Sequence, residues 1–143
     1  GPAVTHYSYS YAAHLVVLDD DGNIDTVTAA HDAGKIINPT LFEGQIEGSV
    51  HMGLGYALSE ELELENGQLK SKKMRDLGLL KIKDTPQIIV KGLEVTDPLG
   101  PYGAKGVGEI GLVPTAGAVA NAFRQYDGIR RYKLPLKRNR KSQ

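Results

Sequence analysis

The chain contains no cysteine in its 143 residues. A disulfide scaffold, a thiolate metal site and a cysteine nucleophile are therefore excluded within it. It has no apolar run approaching the roughly 18 residues that span a bilayer, and no basic segment followed by an apolar block near its start. The expectation is a soluble protein with no membrane contact, anchor or signal peptide. Net charge is also missing, since 17 lysines and arginines balance 17 aspartates and glutamates. No overall field draws the chain to nucleic acid or to an anionic membrane. His6, His14, His31 and His51 form no H-E-x-x-H pair and none is spaced to share a helix face with another, so each reads as a structural residue. The run Asp19-Asp20-Asp21 lacks the spacing of a calcium loop and reads as a solvated hairpin tip.

The length suits one domain of ordinary size, able to bury most of its apolar surface. Tyr7 to Tyr11 alternates with serine, and Leu15-Val16-Val17-Leu18 follows as a β-branched apolar run, which predicts a strand. A turn at Asp19 to Asn23 and a return strand over Ile24 to Ala30 complete a hairpin. Asn38-Pro39 is a helix start, an N-cap followed by a residue suited to the first helical position. The helix is expected from Pro39 to Leu64, with Phe42, Ile46, Val50, Leu54, Ala57, Leu58 and Leu62 on one stripe. Four glycines interrupt it, each costing nearly 1 kcal/mol against alanine. Gly44 and Gly48 share a face, which fits either tight helix packing or the close approach of a backbone or flat ligand. Asn66-Gly67 is read as the helix stop and turn, Gln68 to Met74 as a short edge strand and Gln87 to Val95 as a further strand. A second helix is expected over Leu112 to Tyr126, and residues 130–143, half of them basic, as a surface tail.

Between the last strand and the second helix lies Gly100-Pro101-Tyr102-Gly103-Ala104-Lys105-Gly106-Val107-Gly108-Glu109-Ile110-Gly111, five glycines in twelve positions around one carboxylate. Such a backbone approaches a ligand or another segment closely. Glu109 is the candidate catalytic residue, although on chemistry alone an ordinary first-turn helix glutamate explains it as well. Gly106, Gly108 and Gly111 also spell G-x-G-x-x-G. That motif binds a dinucleotide only between a buried strand and a helix N-terminus. Here two prolines precede it, and the acidic residue about twenty positions on, Asp127, ends a helix.

Three segments in this order resemble the C-terminal part of the molybdenum-binding region of the xanthine dehydrogenase and aldehyde oxidase family. They are His31-Asp32-Ala33-Gly34 with Ile37-Asn38-Pro39; Glu43-Gly44-Gln45-Ile46-Glu47-Gly48 with Gly53-Leu54-Gly55-Tyr56-Ala57-Leu58 and Glu60-Glu61; and Gly103 through Glu109. The likeness runs over about residues 6–136. Two departures stand out: Ile110-Gly111 replaces the two prolines many members carry after the glutamate, and Arg75-Asp76-Leu77-Gly78 lacks the Asp-Tyr-x-Ile-Pro pattern.

The resemblance implies an oxidoreductase with a molybdenum–molybdopterin cofactor, whose pterin dithiolene holds a metal carrying oxo, sulfido and hydroxyl groups. Glu109 matches the base that takes the hydroxyl proton as that oxygen attacks an electron-poor carbon of a purine-type heterocycle or an aldehyde. Gln45 matches the glutamine of the Gln-x-x-Gly motif near the cofactor, and the backbone of Gly106, Val107 and Gly108 is expected to approach the metal centre. No side chain of this chain is expected to ligate the metal. Electrons are expected to leave through 2Fe-2S clusters and FAD, carried by other domains or subunits of a cytoplasmic parent enzyme. The implied fold is α+β, a small mixed or antiparallel sheet packed with two main helices. Residues 1–129 would be the C-terminal portion of a larger cofactor-binding domain, inactive by itself and completed by the remaining molybdenum-binding segments. The competing expectation is a non-catalytic fragment that acts only as a folded binding or assembly module.

Overall fold

A computed structural model of the chain describes residues 9–70 and 73–137. The opening hairpin forms as the alternation predicts. β1 (Ala12–Leu18) pairs antiparallel with β2 (Ile24–Asp32), Val16 opposite Val27 and His14 opposite Ala29. Its tip closes where the Gly22 N–H donates to the Asp19 carbonyl, with Gly22 at φ 76°. Tyr9 and Tyr11 precede the strand and are exposed, so the tyrosine alternation is not part of the sheet; Tyr7 lies outside the described residues.

α1 (Pro39–Leu58) starts at the predicted cap, the Asn38 side chain accepting from the Leu41 N–H at 3.0 Å. It ends six residues before the expected Leu64. The reason is local: the Ser59 N–H closes the last turn on Gly55, and the Glu61 N–H then pairs with the Leu77 carbonyl. Asn66 and Gly67, both at positive φ, form the turn of a small hairpin joining β3 (Leu64–Glu65) to β4 (Gln68–Leu69), rather than a helix stop. Short 3₁₀ turns at Met74–Asp76 and Ile82–Asp84 lead to β5 (Gln87–Leu93).

β5 adds to β2 in parallel, giving the order β1-β2-β5 and a mixed sheet with β2 at its centre. α2 (Thr115–Asp127) begins three residues later than the expected Leu112, because the chain turns through residues 111–114 before Pro114 occupies the N-cap. It ends on Gly128 in the left-handed conformation.

Both helices cover one face of the sheet. Val16, Val27 and Ala29 meet Ile46, Val50, Leu54 and Ala57 of α1 and Val119, Ala122 and Phe123 of α2. Each fully buried Val, Leu or Ile side chain there contributes about 1.5–3 kcal/mol. Leu15 and Val17 point to the other face and are exposed, so the apolar run in β1 is buried only at alternate positions. The expected surface tail is exposed at Arg130, Tyr132, Lys133 and Lys137, but other described residues of it are anchored to the fold. Arg131 lies 5.3 Å over the Phe123 ring and pairs with Asp127, Leu136 is buried, and the Leu136 N–H donates to the Ala57 carbonyl. Residues 138–143 lie outside the described residues.

Candidate functional site

The glycine-rich segment is laid against the chain that leaves β2. Gly103 supplies a carbonyl to the N–H groups of both Asp97 and Lys35, the Lys105 N–H donates to the Ala33 carbonyl at 2.9 Å, and Gly34 bridges Ala104. Underneath runs an ion pair between the Lys105 ammonium and Asp32 Oδ2, with side chains 7% and 2% exposed. Asp32 Oδ1 accepts from the Gly34 and Val95 N–H groups at 3.0 and 3.2 Å. Burial pushes the Asp32 carboxyl up, but the bonds from Lys105, Gly34 and Val95, with the Lys105 charge, more than offset it and hold it below its ordinary value.

Beyond Lys105 the segment crosses the start of α1. Gln45, on the exposed side of that helix, donates from Nε2 to the Gly108 carbonyl at 2.6 Å. Side chains added at Gly106 or Gly108 would meet nothing within 4 Å, whereas one at Gly111 would strike Ser49 at 2.6 Å. Val107 packs against the core between the two open glycines. Glu109 is exposed in a bend, its carbonyl accepting from the Leu112 N–H, and it is not in the first turn of α2. The helical half of the ordinary reading fails, and an exposed glutamate in a turn remains. A cleft of about 370 Å³ lies alongside, lined among others by Lys35, Phe42, Gln45, Lys105, Val107 and Gly108. Gln45 is thus brought to the Gly106–Glu109 segment across 63 positions of sequence, by its bond to Gly108.

Two groupings escape sequence reasoning. Asp32 and Lys105 each sit inside a segment of the resemblance, yet their pairing joins positions 73 apart and no local spacing reports it. His14 and His31 are the second: their Nε2 atoms lie 2.7 Å apart across the hairpin, with the His14 Nδ1 3.2 Å from Thr115 Oγ1. The hairpin register is the signal that finds them, because it sets both rings on the helix-covered face. Thr115 in turn fills the notch left by Gly53, whose added Cβ would lie 2.6 Å from the threonine Cβ. Tight packing, one of the two readings of Gly44 and Gly48, fails at both, which face open space, and it is Gly53 that packs closely. His51 Nδ1 meets Thr85 Oγ1 at 2.8 Å, and His6 lies outside the described residues. Among the described residues no group of three or more His, Cys, Asp or Glu gathers as a metal site, and no helix is long and apolar enough to cross a membrane.

Residues 1–86 match a family model described as the molybdopterin cofactor-binding domain. The chain belongs to this family. As a molybdopterin cofactor-binding domain it is 35% identical over 115 residues, 79% of its length, to the putative xanthine dehydrogenase molybdenum-binding subunit XdhA of Escherichia coli K12. It is 38% identical over 135 residues, 89% of its length, to the aldehyde oxidoreductase molybdenum-binding subunit PaoC of the same organism. Among solved structures, quinoline 2-oxidoreductase from Pseudomonas putida 86 superposes with a TM-score of 0.75 over 87% of the chain at 30% identity, covering 17% of that protein. Aldehyde oxidoreductase from Desulfovibrio gigas does so with a TM-score of 0.70 over 79% of the chain and 12% of its own length, at 33% identity. The chain spans 15% of the length of XdhA and 18% of PaoC. The α+β fold is shared with these molybdenum hydroxylases.

Proposed function

We propose that this chain forms the base-bearing side of the molybdenum centre in an enzyme that hydroxylates an electron-poor carbon of a purine-type heterocycle or an aldehyde, with oxygen from water. The observation that carries the reading is the hydrogen bond from Gln45 Nε2 to the Gly108 carbonyl, which joins the start of α1 to the loop bearing Glu109. The residues fit the cofactor on a physical test. Gly106 and Gly108 leave open space where a side chain would begin, so a ligand can lie against their backbone. Gln45 and that backbone would hold the cofactor from this side; the remaining segments of the molybdenum-binding region would hold it from the others. When bound, the cofactor supplies a two-electron oxidation, with electrons passing to 2Fe-2S clusters and FAD elsewhere in the parent enzyme.

Within this chain the chemical work falls to Glu109. Its carboxylate accepts a proton as the oxygen nucleophile attacks, the part a general base plays when it stands within hydrogen-bond reach. Gln45 fixes the carbonyl one residue earlier and so limits where that carboxylate stands. Names of the relatives, among them xanthine dehydrogenase, quinoline 2-oxidoreductase and aldehyde oxidoreductase, support a substrate that is a nitrogen heterocycle or an aldehyde.

The test is Glu109→Gln in the assembled enzyme, with turnover expressed per bound molybdenum. Loss of the base is expected to lower it by about 10²–10⁴-fold with metal content unchanged. Near-normal turnover at full metal content would overturn the role. Full turnover when Glu109→Gln is combined with Gln45→Ala, at unchanged metal content, would favour a purely structural module.

A further inference from the structure

Two ion pairs among the described residues are nearly closed to solvent, Asp127–Arg131 at the end of α2 and Asp32–Lys105 beneath the glycine loop. A buried pair is seldom a net source of stability relative to packed apolar side chains, so its use lies in what it fixes. Asp32 ends the central strand of the sheet, the most enclosed part of the fold. Its two oxygens take the Gly34 and Val95 amides on one side and the Lys105 ammonium on the other. Lys105 is held twice, through its side chain and through its own N–H on the Ala33 carbonyl. Immediately after it the loop becomes open-faced at Gly106 and Gly108, and its next anchors are Val107 against the core, the Gln45 amide at Gly108 and the Leu112 N–H at Glu109. The height and direction at which the backbone leaves residue 105 are therefore one of the constraints that set where Gly106 to Glu109 stand.

We infer that the Asp32–Lys105 pair is a positioning device that fixes the stand-off between the Gly106–Glu109 backbone and the molybdenum cofactor. The inference rests on the reading of this loop as the base-bearing, cofactor-facing one. Neither residue touches the reacting atoms; both act through the loop.

The experiment compares Lys105→Met, Lys105→Arg and the double substitution D32N/K105M in the assembled, cofactor-loaded enzyme. The double variant removes both charges together and keeps an amide oxygen for the Gly34 and Val95 N–H groups, so it tests the device if Lys105→Met alone does not fold. Readouts are amide exchange at Lys35 and position 105, the electron paramagnetic resonance signal of the partly reduced molybdenum centre, and kcat and KM per bound molybdenum. In the two charge-removing variants exchange at these amides is expected to rise about tenfold or more, while Val27–Ala29 at the sheet centre stays protected. The resonance signal should shift, and kcat should fall up to roughly a hundredfold with KM little moved, as expected when reacting groups are displaced rather than lost. Lys105→Arg should restore all three. An unaltered resonance signal with unchanged kcat overturns the inference, as does exchange that rises equally at Val27–Ala29. If Glu109→Gln retains turnover, the reading of Glu109 fails, yet the exchange and resonance measurements still decide whether the pair positions the loop.

Discussion

Gly106 and Gly108 differ from Gly111 in what stands where a side chain would begin: open space for the first two, Ser49 for the third. Gly106→Ala and Gly108→Ala are therefore expected to leave folding stability within about 0.5 kcal/mol, because they add a methyl to an unoccupied surface. Gly111→Ala should cost about 1–3 kcal/mol through overpacking against Ser49 and Ile46. Urea unfolding separates them, and molybdenum content of the assembled enzyme adds the functional half: reduced content is expected for the two surface substitutions. Equal destabilisation by all three would refute the division. The sequence shows five glycines around a carboxylate but not which serve packing, since that depends on α1 crossing underneath. That Gln45 meets the glycine loop at Gly108 is not readable from either segment alone, and the Asp32–Lys105 pair is hidden for the same reason, because its two halves meet only after the sheet is built.

Among the elements, α1 shows both what local rules determine and where they stop. Its start is local: Asn38 caps the Leu41 N–H and Pro39 follows, so Asn38→Ala should lower stability by about 1 kcal/mol, read as a shifted urea midpoint. A midpoint unchanged by that substitution would show that tertiary packing alone holds the first turn. Its end is set by partners far along the chain. Glu61 pairs its backbone with Leu77, a contact no periodicity in residues 39–64 reports, and the helix reading accordingly ran too far. The contact between the helices includes one close fit, Gly53 against Thr115. Gly53→Ala is expected to cost about 1–3 kcal/mol, and Thr115→Ser does not relieve it, since the threonine Cβ and Oγ1 that stand 2.6 Å from the added methyl both have counterparts in serine. An unchanged urea midpoint in Gly53→Ala would count against this fit.

For the molecule as a whole, acid should act in two stages. Burial, and after it the neighbouring His31 charge, push His14 down to about 4, and burial lowers His31 as well. In the unfolded chain both return to about 6.5, so the unfolded state binds more protons between those values. The stability that comes from keeping the pair neutral is fully present above pH 6.5 and is lost as pH falls toward 4. Asp32 and Asp127, held below their ordinary values, add a further loss only beneath the usual carboxylate range. Urea midpoints at about pH 7, 5.5 and 4 should fall steadily, and His14→Gln should flatten the slope. A level profile over that interval would contradict the burial of the pair. The α+β class and the two helices were legible in the hydrophobic pattern, but the parallel addition of β5 to β2 was left open, since strand direction in a sheet is decided by the crossover and not by the strands themselves. The Asp32–Lys105 pair also carries a consequence in time. The cation arrives 73 positions after the carboxylate, roughly 4–15 s at ordinary rates of synthesis. Until then the carboxylate that ends the middle strand has no Lys105 to pair with, and a translational pause before Lys105 would prolong that interval.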